Sequence, residues 1–325
     1  MCAAQADGRP GVTGAQVDLQ LGSRPNNFMD NDAAIILSSD SQITQVQDAT
    51  TLSDATGTLL TTAPIQSLFE EFSPLIPLGK HFGFIGATVF TYMREDSHAE
   101  ALRAVLATFN EHGRKMVDEL NEGFDCSRSF YSHRHLEYSG EDIPVEITDE
   151  HIQKLMDPNY QKRVMILARK AATAWGNAAT IVRSKLIPLL PQLQRELDAF
   201  VDDYDLRHHI LEEREQSVIP YFVQNWLWGA VEPVRWNKEE VELLPQDCSS
   251  GGKLLERLVG FLDRMEAHFL RLSQLELSKL AASSYSSLSS IRDLYATRVA
   301  CLVILTRMDD MIMPIERAFW HKPRV

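Results

Sequence analysis

Leu255, Leu258, Leu262, Met265, Phe269 and Leu272 recur at intervals of three, four, three, four and three residues. No other stretch constrains the fold so closely. With 3.6 residues per turn, that spacing lines all six along one stripe of a helix, and an apolar stripe of that length has to be covered by another helix.

The same period recurs upstream. Ile65, Leu68, Phe69 and Phe72 predict a helix opening at Pro64, broken by Pro74 and Pro77. Ser97 and Glu100 form a capping-box pattern ahead of Leu102, Val105, Leu106, Phe109, Met116 and Leu120. Gly123, Gly140 and Pro144 predict a loop over 121–147, and Thr148 a short helix to Met156. Tyr160, Val164, Leu167, Ala168, Ala171, Trp175, Ala178 and Val182 mark a long helix to about Leu186, punctuated by Pro188 and Pro191. Leu193, Leu197, Phe200, Val201, Tyr204 and Leu211 mark another. Pro245 to Gly252 reads as a loop and as a sub-boundary. Beyond it, the seam helix (about 253–281) and a helix over 287–313 form a helical hairpin across a Ser-rich hinge. The expected class is all-α: a multi-helix bundle over 64–325 behind a disordered N-terminal arm.

That arm, residues 1–63, holds seven acidic residues against two basic ones, a net charge of −5, and no sustained apolar period. A flexible polar segment follows from such a composition. The whole chain of 325 residues carries a net charge of −13. An acidic surface repels phosphate backbones, so no tight nucleic-acid binding is expected. Four scattered cysteines without a CxxC pair fit reduced thiols in a cytoplasmic compartment. No run of about 18 apolar residues is present, so no membrane span is expected. The apolar stretch 82–93 is too short to span as a helix. Its glycines fit a buried helix that a neighbour approaches closely.

Motifs for chemistry are sparse. Asp309-Asp310 and Asp202-Asp203-Tyr204-Asp205 lack the acidic fifth position of the aspartate-rich motif with which terpene cyclases hold diphosphate through magnesium. Glu95-Asp96-Ser97-His98 is a single Glu-x-x-His where a di-iron bundle needs two, and it sits at a helix start. His133 and His135 lie near Cys126 without the four-ligand spacing of zinc sites, and His208-His209 point in different directions on a helix. Nucleophile elbow, phosphate loop and dinucleotide fingerprint are all missing. No catalytic residue, metal or cofactor is expected.

Pro77-Leu78-Gly79-Lys80-His81-Phe82, the Trp175-Gly176 and Trp228-Gly229 pairs, and the polar arm ahead of a helical body give the chain a plan that resembles capsid proteins of partitivirus-like small double-stranded-RNA viruses. The resemblance implies a largely helical protein that dimerises and builds a shell. The expected function is therefore a non-enzymatic, self-associating structural protein, a homo-oligomer, with a viral capsid (coat) protein as its concrete form. The candidates for self-association are Leu255, Leu258, Leu262, Met265, Phe269 and Leu272 of the seam, with Trp226 and Trp228 from the aromatic run Pro220–Trp236. Two other classes fit the pattern: an all-α enzyme of terpenoid or other lipophilic substrates, with those aromatics lining a pocket, and a membrane-active cytolysin or cell-death effector that exposes 82–93.

Overall fold

Nine α-helices carry the chain through the residues that a computed structural model describes: 61–132, 157–229, 237–274 and 288–320. They are α1 (Ala63–Phe72), α2 (Pro77–Ala87), α3 (Glu100–Tyr131), α4 (Pro158–Ile181), α5 (Ile187–Glu215), α6 (Tyr221–Trp228), α7 (Lys238–Gln274), α8 (Leu288–Asp310) and α9 (Ile312–Ala318). No strand occurs among the described residues, and the helices pack as an all-α, multi-helix bundle. The polar arm, the short helix expected after Thr148 and the Ser-rich hinge fall outside the described residues, except Thr61, Thr62, Ala63 and Leu288–Ser290 at their edges.

The seam helix α7 is the hub. Leu255, Leu258, Leu262, Met265, Phe269 and Leu272 are all buried, under α1, α2, α4 and α5 of the same chain. Phe72 of α1, Phe124 of α3, Trp175 of α4 and Phe261 of α7 meet at the centre. Phe124 stands edge-on to Trp175 with ring centroids 4.8 Å apart, and Phe72 lies 5.0 Å from Phe261. The edge-to-face contact of Phe124 with Trp175 suits the ring quadrupoles and adds to the burial of large apolar area. The one polar atom of the indole is satisfied: Trp175 Nε1 donates to Ser127 Oγ at 3.1 Å, and Ser127 Oγ donates to the Gly123 carbonyl at 2.6 Å.

Two glycines read as loop signals, Gly123 and Gly251, are instead places where a ring lies against a helix, while Gly140 and the rest of the expected loop over 133–147 lie outside the described residues. Gly123 is inside α3, which runs on to Tyr131 where a loop was expected. A Cβ there would stand 2.9 Å from the Trp175 indole. Gly251 is inside α7, with the Phe82 ring 2.7 Å from the place of a Cβ, and Gly252 faces Leu190. The expected loop at 245–252 therefore does not exist: α7 passes straight through it and through the place of the expected sub-boundary. Pro245 leaves the Val241 carbonyl without its helical donor, a cost of about 3 kcal/mol. Burial of Val241, Leu244 and Cys248 around it offsets that cost. Asp247, on the same stretch, meets His81 Nδ1 of α2 at 2.5 Å.

Pro188 and Pro191 do not end a helix either. Between α4 and α5 the backbone widens into one π-helical turn, Val182–Leu186, where the Ile187 N–H bonds the Val182 carbonyl five residues back. The wider turn makes room ahead of the prolines, and the chain stays helical from Pro158 to Glu215. The capping box at Ser97 is replaced by a 3₁₀ turn, Ser97–Ala99, whose cap is Asp96 accepting from the His98 N–H at 2.9 Å.

The apolar stretch 82–93 runs from the second half of α2 into a π-helical turn over Thr88–Tyr92, largely buried except at Thr91 and Tyr92. Gly79 lets it touch α9: a Cβ there would fall 1.8 Å from the Pro314 carbonyl oxygen. The expected hairpin of the last two long helices gives way to a different packing. α8 lies chiefly on α1 and α3, not along α7.

Candidate interaction face

Charge disappears from the chain between Gln216 and Gly229. The preceding residues, Glu212, Glu213, Arg214 and Glu215, are all ionic. The uncharged segment ends α5, turns through extended Pro220 (φ −56°, ψ 138°) and forms α6. Gly229 closes the helix at φ +82°, ψ 162°, backbone open only to glycine.

The helix is inside out. Gln224 is its most buried side chain among the described residues, 1% exposed. Its Nε2 donates to the Arg214 carbonyl at 3.0 Å and to the Ile219 carbonyl at 2.5 Å. The Arg214 guanidinium, buried at the end of α5, donates to Asn225 Oδ1 and to the Gly229 carbonyl, each at 3.1 Å. Polar groups thus bind α6 to α5 and turn its apolar side outward. Phe222 and Trp226, four residues apart and so on one ridge, are 75% and 82% exposed. Tyr221 and Leu227 are exposed beside them, and Val218 and Ile219 extend the patch into the preceding turn.

Arg214 belongs to a longer stripe. On one face of α5, Leu193, Leu197, Phe200 and Tyr204 are buried, and the same face then carries Arg207 and Arg214. Cations near a helix C-terminus are favoured by the helix dipole. Arg207 reaches Asp96 at 3.2 Å and Asp203 at 2.9 Å, tying the turn before α3 to α5. His98 joins at 3.1 Å from Asp203.

The six seam residues lie in this chain's own core and offer no surface in this fold. Trp226 is exposed, and the side chain of Trp228 lies outside the described residues, as do His133 and His135. Asp309 is bound to Arg128 at 2.6 Å, Asp203 to Arg207 and His98, and Asp205 to Lys238 at 3.3 Å. Burial raises the Asp309 carboxyl above the ordinary range, with Arg128 opposing. His208 and His209 pair with Glu212 and Glu213, each at 3.2 Å, along α5. Cys126 donates to Glu122, and burial, with that carboxylate, pushes its thiol up to about 12. Among the described residues, no three His, Cys, Asp or Glu side chains converge as a metal site requires.

Arg214, Gln224 and Asn225 were not singled out. Their trace in the sequence is the abrupt loss of charge after Glu215, followed by Pro220, with two amides set among aromatics. A buried pair also went unsingled: Tyr131 OH and His268 Nε2 lie 3.0 Å apart between α3 and α7. Burial, and secondarily Arg271, hold the His268 imidazole down to about 4, so it is neutral at pH 7. No helix among the described residues is long and apolar enough to cross a membrane. Compared with known protein families, curated proteins and solved structures, the chain matches none of them.

Proposed function

We propose that this chain is a non-enzymatic, self-associating structural protein whose copies join through the outward face of α6. The observation that carries the reading is the exposure of Phe222 and Trp226 on a helix whose amide face is bonded to its own body. Exposed aromatics on a fixed scaffold, with charge excluded, have the composition of an interface centre. The coat-protein form of the reading draws on the capsid resemblance and on the all-helical body. Three buried free cysteines suit a reducing compartment such as the cytoplasm.

The two other classes find less support. An enzyme of lipophilic substrates calls for acids beside the aromatics, and Asp203 and Asp205 are engaged by Arg207 and Lys238. A membrane-active form would have to pull Phe82, Ile85, Val89 and Met93 out of the core.

The test is sedimentation velocity of the full chain over a hundredfold concentration range, with negative-stain microscopy of the heaviest fraction. Oligomers that dissociate on dilution, or closed particles, are the expected result. A strict monomer at every concentration, salt and pH overturns the reading.

A further inference from the structure

We propose that two copies of this chain meet α6 against α6 about a two-fold axis. The inference rests on the self-association reading and adds to it the identity of the opposing surface.

Charge selects that surface. A chain of net charge −13 repels its own copies wherever acidic surfaces meet. The segment Gln216–Gly229 contains no Asp, Glu, Lys or Arg, so two of these patches meet without that repulsion. The other exposed large apolar residues occur singly: Tyr92 and Met313 as isolated positions, the rest near charges. Leu206 lies between Asp205 and Arg207, Leu243 follows Glu242, Leu270 precedes Arg271, and Trp320 stands three residues after Arg317. Among the described residues, only the α6 segment groups several exposed large apolar side chains in a run without a charge. A patch that matches itself gives an isologous, closed contact.

Size agrees. On the ridge itself Phe222 and Trp226 expose roughly 350 Å2, and Val218, Ile219, Tyr221 and Leu227 add flanking area toward the roughly 800 Å2 that one partner contributes to a standard interface. Shape agrees as well. The Phe222–Trp226 ridge lies on the side of α6 away from Gln224, so a second helix can lie along it without disturbing the bonds to Arg214. A lipid surface is the less favoured occupant. Interfacial helices carry Lys or Arg beside their apolar face, whereas α6 has none and follows Glu212, Glu213 and Glu215.

The experiment places a photoreactive benzophenone side chain at Phe222 in the full-length protein. It is irradiated alone and with dioleoyl phosphatidylcholine vesicles, and the adducts are mapped by mass spectrometry. The expected result is a cross-linked dimer whose adduct falls within residues 216–229 of the second copy, reduced at least tenfold by an added Trp226→Asp. Oligomers whose adducts fall elsewhere on the second copy overturn the two-fold contact and leave self-association standing. A monomer with no protein adduct overturns both. Lipid adducts together with vesicle flotation, and no dimer, replace the proposal with membrane docking.

Discussion

Gly123 of α3 and Trp175 of α4 touch so closely that the indole occupies the space a methyl group would need: a Cβ on Gly123 would stand 2.9 Å from the ring. The ring has nowhere to go, being enclosed by Phe124 and Phe261 and tethered through Nε1 to Ser127. Gly123→Ala should gain up to about 1 kcal/mol of helix propensity and lose about 1–3 kcal/mol to overpacking. A net fall in stability by urea titration is the expected outcome, and a net rise would mean the ring is free to shift.

Phe269 is the point where the seam closes on the end of α3. Its ring stands edge-on to Phe130 at 5.9 Å and near-perpendicular to Tyr131 at 6.1 Å. Phe269→Ala should cost about 3–5 kcal/mol, the range for emptying a fully buried aromatic site. Phe269→Asp would bury a carboxylate in the same place and should leave little cooperative unfolding to measure by circular dichroism.

His268 makes stability depend on pH. Its imidazole is held down to about 4 from an ordinary 6.5 by burial, so the unfolded chain takes up this proton first as pH falls. The contribution is whole above about pH 6.5 and is lost by about pH 4, with a decline of about 2 kcal/mol between pH 7 and pH 5. Paired urea titrations at those two pH values should show the decline in the parent chain and a smaller one in His268→Gln. Equal declines in both would place the acid sensitivity elsewhere.

Trp226 separates folding from association. Being 82% exposed, it can be changed to Asp with the unfolding midpoint moving by no more than about 0.5 kcal/mol. Self-association measured by sedimentation should weaken at least tenfold. A large loss of stability would show that the indole supports the body and not a contact.

Gly229 and Arg214 hold α6 in place from its far end. A side chain at φ +82°, ψ 162° is strained by about 1–3 kcal/mol, so Gly229→Ala should loosen α6 from α5. Arg214→Met removes the donor to Asn225 and to the Gly229 carbonyl and should act in the same direction. Faster proteolytic cleavage within 216–229, with an unchanged global midpoint, is the expected signature for both.

Sequence alone determined which faces are buried and that the body is helical. The seam of α7, the Ala-rich side of α4 around Trp175 and the Leu-Phe-Tyr face of α5 all have a period of 3.6, and that period is a property of neighbouring residues. Tertiary structure decided where helices end and which way α6 faces. A glycine reads as a break until a ring lies on it, as Phe82 does on Gly251 and Trp175 on Gly123. A proline reads as a stop until burial on both sides, or a widened turn before it, carries the helix through. An aromatic helix reads alike whether it points in or out. Here the choice was made by Arg214 and Gln224, whose hydrogen bonds bury the amides of α6 and leave Phe222 and Trp226 facing solvent.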